Sequence, residues 1–199
     1  MQPVQFLVDK FIVVKGFIDP PVAKFLYEYL KFSTQVLVAS GDQLAIEGDV
    51  LVSGCLGARS HDQVFDTLLK TSKSKIEKLI GLELFPTYTY ARLYKTGNEM
   101  KPHRDRPSCE ISVTLKLSDT GNYNWPIFMN GQEIKLNDGD AIIYKGCELE
   151  HWRNYCVHPN YYLGQMFMHY VDKNGSNVEY KYDKHYHRSI IYERDITHD

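Results

Sequence analysis

From residue 87 onward the chain is a succession of short strand-forming segments divided by turn residues, and that cadence limits what it can fold into. "TYTYARLY" (87–94), "ISVTLKL" (111–117), "WPIFM" (125–129), "QEIKL" (132–136), "AIIY" (141–144) and "YLGQMFMHYV" (162–171) are rich in β-branched and aromatic residues. "FMNGQE" predicts a hairpin turning at Asn130-Gly131, because the two-residue turn needs positive φ that these residues tolerate. "LNDGDA" marks another turn ahead of "AIIY". Many short strands at close spacing are the pattern of a sandwich or barrel.

The first third mixes a strand with helices. "FIVV" (11–14) is a short buried-strand run. "PPVAKFLYEYLKF" places Val22, Phe25, Leu26, Tyr29 and Leu30 at helical spacing, with prolines where a helix start tolerates them. "SHDQVFDTLLK" offers Ser60 and Gln63 as a capping box, with His61 in the first turn and Val64, Phe65, Leu68 and Leu69 on one face. "KIEKLIG" extends that helix to a stop at Gly81. The expected fold is α+β, mainly β: helical support over about 1–81, a jelly-roll, cupin-like antiparallel barrel over about 85–172, and a C-terminal extension over 173–199. With no repeat, low-complexity tract or linker, residues 1–199 are expected to form a single domain.

Composition narrows the partners. A net charge of −2 with no basic stripe gives no footing for nucleic acid. No apolar run is long enough to span a membrane, and "MQPVQFLVDK" lacks the form of a signal peptide. Cys55, Cys109, Cys147 and Cys156 lie far apart without a C-x-x-C pair, which points to reduced thiols in the cytoplasm. Oligomeric state is left open.

The chemistry centres on "MKPHRDRP" (100–107), where His103 and Asp105 are two apart. Chance alone places about half an H-x-D in a chain of this composition, so the pair means little by itself. In an extended segment, however, residues i and i+2 point to the same side and can converge on one cation. "CELEHWRN" supplies His151 at the end of a later strand. Two histidines and a carboxylate on one face of an octahedron leave three positions open, the facial triad of non-haem iron(II) oxygenases. The same residues would also suit a zinc hydrolase or cupin-type isomerase, although no general base stands out and Glu150 should face away from His151. A jelly-roll binding module that holds a metal without turnover is the third reading. Other conspicuous residues read as structure. His185 and His187 belong to a charged tail, His158 to a loop and His169 to a strand. Trp125 and Trp152 read as packing, with Trp152 placed to orient His151.

"ARLYKTGNEMKPHRD", "EISVTLKLS", "LNDGDAIIYKGCELEHWR" and "QMFMHYV" together resemble the 2-oxoglutarate- and Fe(II)-dependent dioxygenases, in the prolyl 4-hydroxylase-like branch with its small microbial and phage-type members. The similarity runs over roughly residues 85 to 172, and "VVKGFIDPPVAKFLYEYLK" is similar to the entry segment of that branch. The resemblance implies a double-stranded β-helix with His103, Asp105 and His151 as iron ligands and catalytic centre. It also implies 2-oxoglutarate and O2 as co-substrates, ascorbate as a reductant, and succinate and CO2 as products. The implied reaction is hydroxylation of an unactivated C–H bond in a peptidyl, prolyl-like or free amino acid. Related halogenases lack the carboxylate, so Asp105 favours hydroxylation.

The distal carboxylate of 2-oxoglutarate needs a cation. Many members place Arg or Lys nine or ten residues after the distal histidine, where this chain has Asn160 and Tyr161. The candidates here are Arg153, two residues after His151, then Lys116 and Arg92. Tyr94 matches the co-substrate tyrosine of the motif, and Tyr90 shares its strand face. Substrate specificity would come from segments 39–59 and 106–110, where Arg106 and Glu110 could meet a zwitterion or pair with each other.

Overall fold

The structure, a computed structural model, describes residues 2–121, 123–185, 188 and 192; His187 lies outside them. Strands β1 (Phe11–Val14), β2 (Leu56–Ser60), β3 (Leu84–Lys95), β5 (Ile111–Asp119), β8 (Ala141–Lys145) and β10 (Tyr162–Asp172) form the larger sheet, in the order β1-β8-β5-β10-β3-β2. Strands β4 (Met100–His103), β6 (Ile127–Met129), β7 (Gln132–Ile134) and β9 (His151–Arg153) form the smaller one, in the order β4-β9-β6-β7. Every strand pair is antiparallel. Helices α1 (Gln2–Asp9), α2 (Pro20–Ala39), α3 (Gln43–Glu47) and α4 (Gln63–Ile80) and two short 3-10 segments, Pro107–Cys109 and Val178–Lys184, complete the described elements.

Alternation along β5 shows how the sheet separates two cores. Ile111, Val113, Leu115 and Leu117 join a cluster with Leu26, Leu30, Phe65, Leu69 and Ile76 from α2 and α4. Ser112, Thr114, Lys116 and Ser118 take the other face and are also buried. A second cluster, with Tyr94, Met100, Trp125, Ile127, Tyr144 and Phe167, fills the space between the sheets. Because the central strands are covered on both sides, their sequences read as nearly continuous apolar runs rather than clean alternation.

The predicted hairpin is present: Met129 pairs with Gln132, and Asn130 and Gly131 both have positive φ. Gly139 at the "NDGD" turn has φ +83°, and a Cβ there would lie 2.3 Å from the Ile18 carbonyl oxygen. Glycine is therefore required at the point where the turn meets the chain after β1. Asp140, next in sequence, accepts from the Gly16 and Asn137 amides and pairs with Lys15 at 2.8 Å. Burial would raise its pKa, but those partners hold it below the ordinary carboxylate value.

Three expectations change. The cap of α4 is Asp62, which accepts from the Val64 and Phe65 amides, not Ser60. Ser60 is drawn into β2 by pairing with Tyr90, and His61 precedes the helix with φ 60°. Helix α2 turns Ala23, Leu26, Tyr27, Leu30 and Thr34 inward, leaving Val22 and Phe25 exposed. Trp152 stacks on Phe128 with centroids 5.2 Å apart, and so does not hold His151. No helix among the described residues is long and apolar enough to cross a membrane.

Candidate functional site

Strands β4 and β9 pair so that His103 lies opposite His151, with ring centroids 4.2 Å apart. Asp105 follows β4, its amide donating to the Gly146 carbonyl at 2.9 Å. Its Oδ1 lies 3.8 Å from His103 Nε2 and 3.6 Å from His151 Nε2. One ligand atom from each of the three residues falls within 4.8 Å of the other two, close enough to share a cation. The ring tautomers suit that role. His103 Nδ1 donates to the Lys101 carbonyl at 2.9 Å and His151 Nδ1 to the Leu149 carbonyl at 3.1 Å. Each Nε2 is therefore the unprotonated nitrogen, with the Tyr144 hydroxyl 3.5 Å from that of His151.

Asp105 is positioned from behind. Ser112 Oγ donates to its Oδ2 at 2.9 Å. With that single proton committed, the serine oxygen accepts from His169 Nδ1, also at 2.9 Å. Gly146 packs so closely that a Cβ there would lie 2.4 Å from Asp105 Oδ2. Ser112 carries no distinguishing mark along the chain, because it meets Asp105 only through the β5 register.

Burial lowers the His151 pKa despite the nearby Asp105 carboxylate, and burial pushes His169 down to about 4. Both imidazoles resist protonation when folded, whereas the unfolded chain titrates near the ordinary value of 6.5. Between that value and about 4, the unfolded state binds more protons, so stability falls as pH falls through the window. For His169 alone the loss between neutrality and about pH 5 should be ~2 kcal/mol. Denaturant unfolding of the metal-free protein checks this, and an unfolding free energy equal at the two pH values would contradict it.

The triad opens into a cavity of about 410 Å³, a size suited to a small molecule, walled by Asp49, Tyr88, Tyr90, Arg92, Phe167 and His169 among others. Arg92 is buried, pairs with Asp49 at 3.2 Å and lies against the rings of Tyr90, Tyr94 and Phe167. Tyr90 donates to the same Asp49 carboxylate at 2.8 Å. Asp49 went unrecognised in the sequence because only folding brings the segment after α3 against β3. Arg106 lines the cavity, lies 4.7 Å over the Tyr88 ring and pairs with Asp183 at 3.1 Å. Glu110 does not share this wall: its carboxylate accepts from the Asp172 amide at 3.0 Å, and Arg106 pairs with Asp183 rather than with it.

Of the three cations considered for a distal carboxylate, Arg92 lines the triad cavity, whereas neither Arg153 nor Lys116 does. Lys116 lies further along β5 beside a separate depression, held by Asp119 at 2.7 Å and Asp138 at 3.5 Å. Arg153 shares the inward face of β9 with His151 and is 2% exposed. It donates to the Trp125 carbonyl at 2.6 Å and to Gln165 Oε1 at 3.0 Å, and lies over the Trp125 and Tyr94 rings. Among the described residues no carboxylate pairs with it, and its Nε and the Gln165 Nε2 lack acceptors. Burial lowers its pKa. A desolvated guanidinium without a counter-charge is costly, and an anionic ligand would relieve that cost. Tyr94, alongside, donates to Met100 Sδ at 3.7 Å.

No known family profile matches the chain, and no curated sequence does. Solved structures do. A prolyl-4-hydroxylase from Pseudomonas putida aligns with TM-score 0.61 at 14% identity, covering 84% of this chain and 96% of that one. The nickel complex of the non-haem monooxygenase ThoJ aligns at 0.67 and 14%, covering 87% and 78%. The epimerase SnoN in complex with Fe3+ and α-ketoglutarate aligns at 0.62 and 14%, covering 86% and 82%. The chain thus has the double-stranded β-helix fold of the 2-oxoglutarate/Fe(II) oxygenases. Those three proteins carry different activities, so the shared fold leaves the reaction to be argued from the site.

Proposed function

We propose that this chain is an Fe(II)- and 2-oxoglutarate-dependent dioxygenase that hydroxylates an unactivated C–H bond of a peptidyl, prolyl-like or free amino acid. The observation that carries the proposal is a two-histidine, one-carboxylate triad with an uncompensated buried guanidinium two residues beyond its distal histidine. The donor set fits ferrous iron: His103, Asp105 and His151 would hold it from one side and leave the other open. Bound there with 2-oxoglutarate, the iron would supply oxidative decarboxylation to succinate and CO2 coupled to oxidation of the substrate.

The chain's own groups do the rest. Arg153, with Gln165 and Tyr94, would receive the distal carboxylate as a charge-assisted pair. Ser112 and Gly146 hold Asp105 close to the two imidazoles, where it would meet the metal. Tyr88, Tyr90, Phe167 and Arg106 would bound the space for the substrate. A hydrolase using the same triad would need a general base. The Asp49 carboxylate in this cavity is already committed to Arg92, Tyr90 and two backbone amides. The four free thiols accord with a reducing, cytoplasmic setting.

The test is anaerobic addition of ferrous iron and then 2-oxoglutarate, watching for the weak visible charge-transfer band of the chelate. A folded, iron-loaded sample that shows no band would overturn the co-substrate assignment. Succinate release stimulated by members of an amino-acid and peptide panel would then identify the substrate.

A further inference from the structure

Helix α2 carries two apolar stripes, and only one has a partner. Ala23, Leu26, Tyr27, Leu30 and Thr34 are buried against the barrel. Val22, Phe25, Tyr29, Phe32 and Val36 form the second, at alternating spacings of three and four. Tyr29 is half-buried against Phe65, but Phe25 and Phe32 are 67% and 66% exposed, and Val22 and Val36 are 47% and 52% exposed. An apolar arc wider than the face a helix turns to its own core leaves a second surface to bury. Three-four spacing sustained along a helix is also the pattern of a seam against a second helix.

We infer that this stripe is the interface of a homodimer in which α2 packs antiparallel on α2 of a second copy about a two-fold axis. The stripe is self-complementary in that direction. Antiparallel apposition sets Phe25 opposite Val36 and Tyr29 opposite Phe32 of the other copy, while Val22 meets Ala39. Parallel apposition would stack phenylalanine on phenylalanine and valine on valine, leaving thick and thin layers along one seam.

Charge and area favour a second copy as the occupant. The seam itself carries no charge. The flanking Lys24 and Lys31 both pair with Glu28, at 3.4 and 2.9 Å, which leaves a single net positive charge on that flank of each copy. That mixed flank also differs from the lysine- and arginine-rich polar face of a helix lying on a membrane. Each exposed phenylalanine offers on the order of 120 Å². Two copies would cover ~800 Å² from the apolar seam alone, and the stems of Lys24, Glu28 and Gln35 bring the total near ~1,200 Å², the lower end for a specific pair.

Sedimentation equilibrium of the full chain at micromolar concentration is expected to give twice the chain mass of 23.1 kDa. Phe25→Asp/Phe32→Asp should raise the dimer dissociation constant ~100-fold or more while leaving the circular dichroism spectrum unchanged. Phe32→Ser serves as a second variant should the double change compromise folding, with the same shift toward monomer expected. Val8→Asp, an equally exposed apolar position on α1, should leave the dimer intact. A wild-type chain that sediments as a monomer at high micromolar concentration would overturn the inference. So would a dimer indifferent to the α2 variants, or one lost equally in Val8→Asp.

Discussion

Asp105→Ala is expected to abolish 2-oxoglutarate-coupled succinate formation and to weaken divalent-cation binding by ~100-fold or more. The side chain is the one carboxylate in the triad, 3.6 and 3.8 Å from the two imidazole nitrogens. Removing it leaves two neutral donors and no negative charge to balance the cation, and Ser112 keeps only the Cys109 carbonyl, at 3.0 Å, as acceptor. The fold should survive, because Asp105 lies in the segment after β4 and its backbone bond to Gly146 does not involve the side chain. Calorimetric titration with Ni(II) or Co(II) under anaerobic conditions reads the affinity directly, without relying on turnover. Wild-type affinity in the variant would remove Asp105 from the metal site.

The second large effect is expected at Arg153. Replacing it with methionine should lower the affinity of the Ni(II)-loaded protein for 2-oxoglutarate by ~100-fold or more, as losing one half of a buried, hydrogen-bonded charge pair does. Stability of the ligand-free protein should change little, because two effects oppose each other. The variant no longer buries a guanidinium without a counter-charge. It also leaves the Trp125 carbonyl and Gln165 without a donor, at about 1–3 kcal/mol each. Thermal unfolding and 2-oxoglutarate titration on the same samples separate these quantities. Unchanged 2-oxoglutarate affinity would transfer the role to Arg92, the buried cation that lines the cavity itself.

These two residues show what can be read along a chain. The His103–Asp105 and His151–Arg153 pairs each share a side because an extended backbone repeats every two residues, a local property that spacing reveals. The turn at Asn130-Gly131 and the stop at Gly81 are local in the same way, since each depends on backbone angles that few residues tolerate. Short elements such as β2 and α3 left no such mark. Three to five residues carry too little periodicity, and pairing partners hold them in place. Spacing ranks Arg153 ahead of Lys116 and Arg92, but only the neighbours separate them physically: acids around Lys116, Asp49 beside Arg92, and none beside Arg153 among the described residues.

The sequence by itself determined the strand segments, the hairpin and the pairwise geometry of the candidate ligands, because backbone periodicity and turn sterics act over a few residues. The tertiary structure decided what those pairs face. It set His103 against His151, placed Ser112 behind Asp105, and gave Arg153 no carboxylate partner among the described residues. It also separated the two stripes of α2 into a buried face and an exposed one, although both follow helical spacing. Such relations depend on strand register and packing between residues far apart in the chain, and burial and charge compensation exist only once those contacts form.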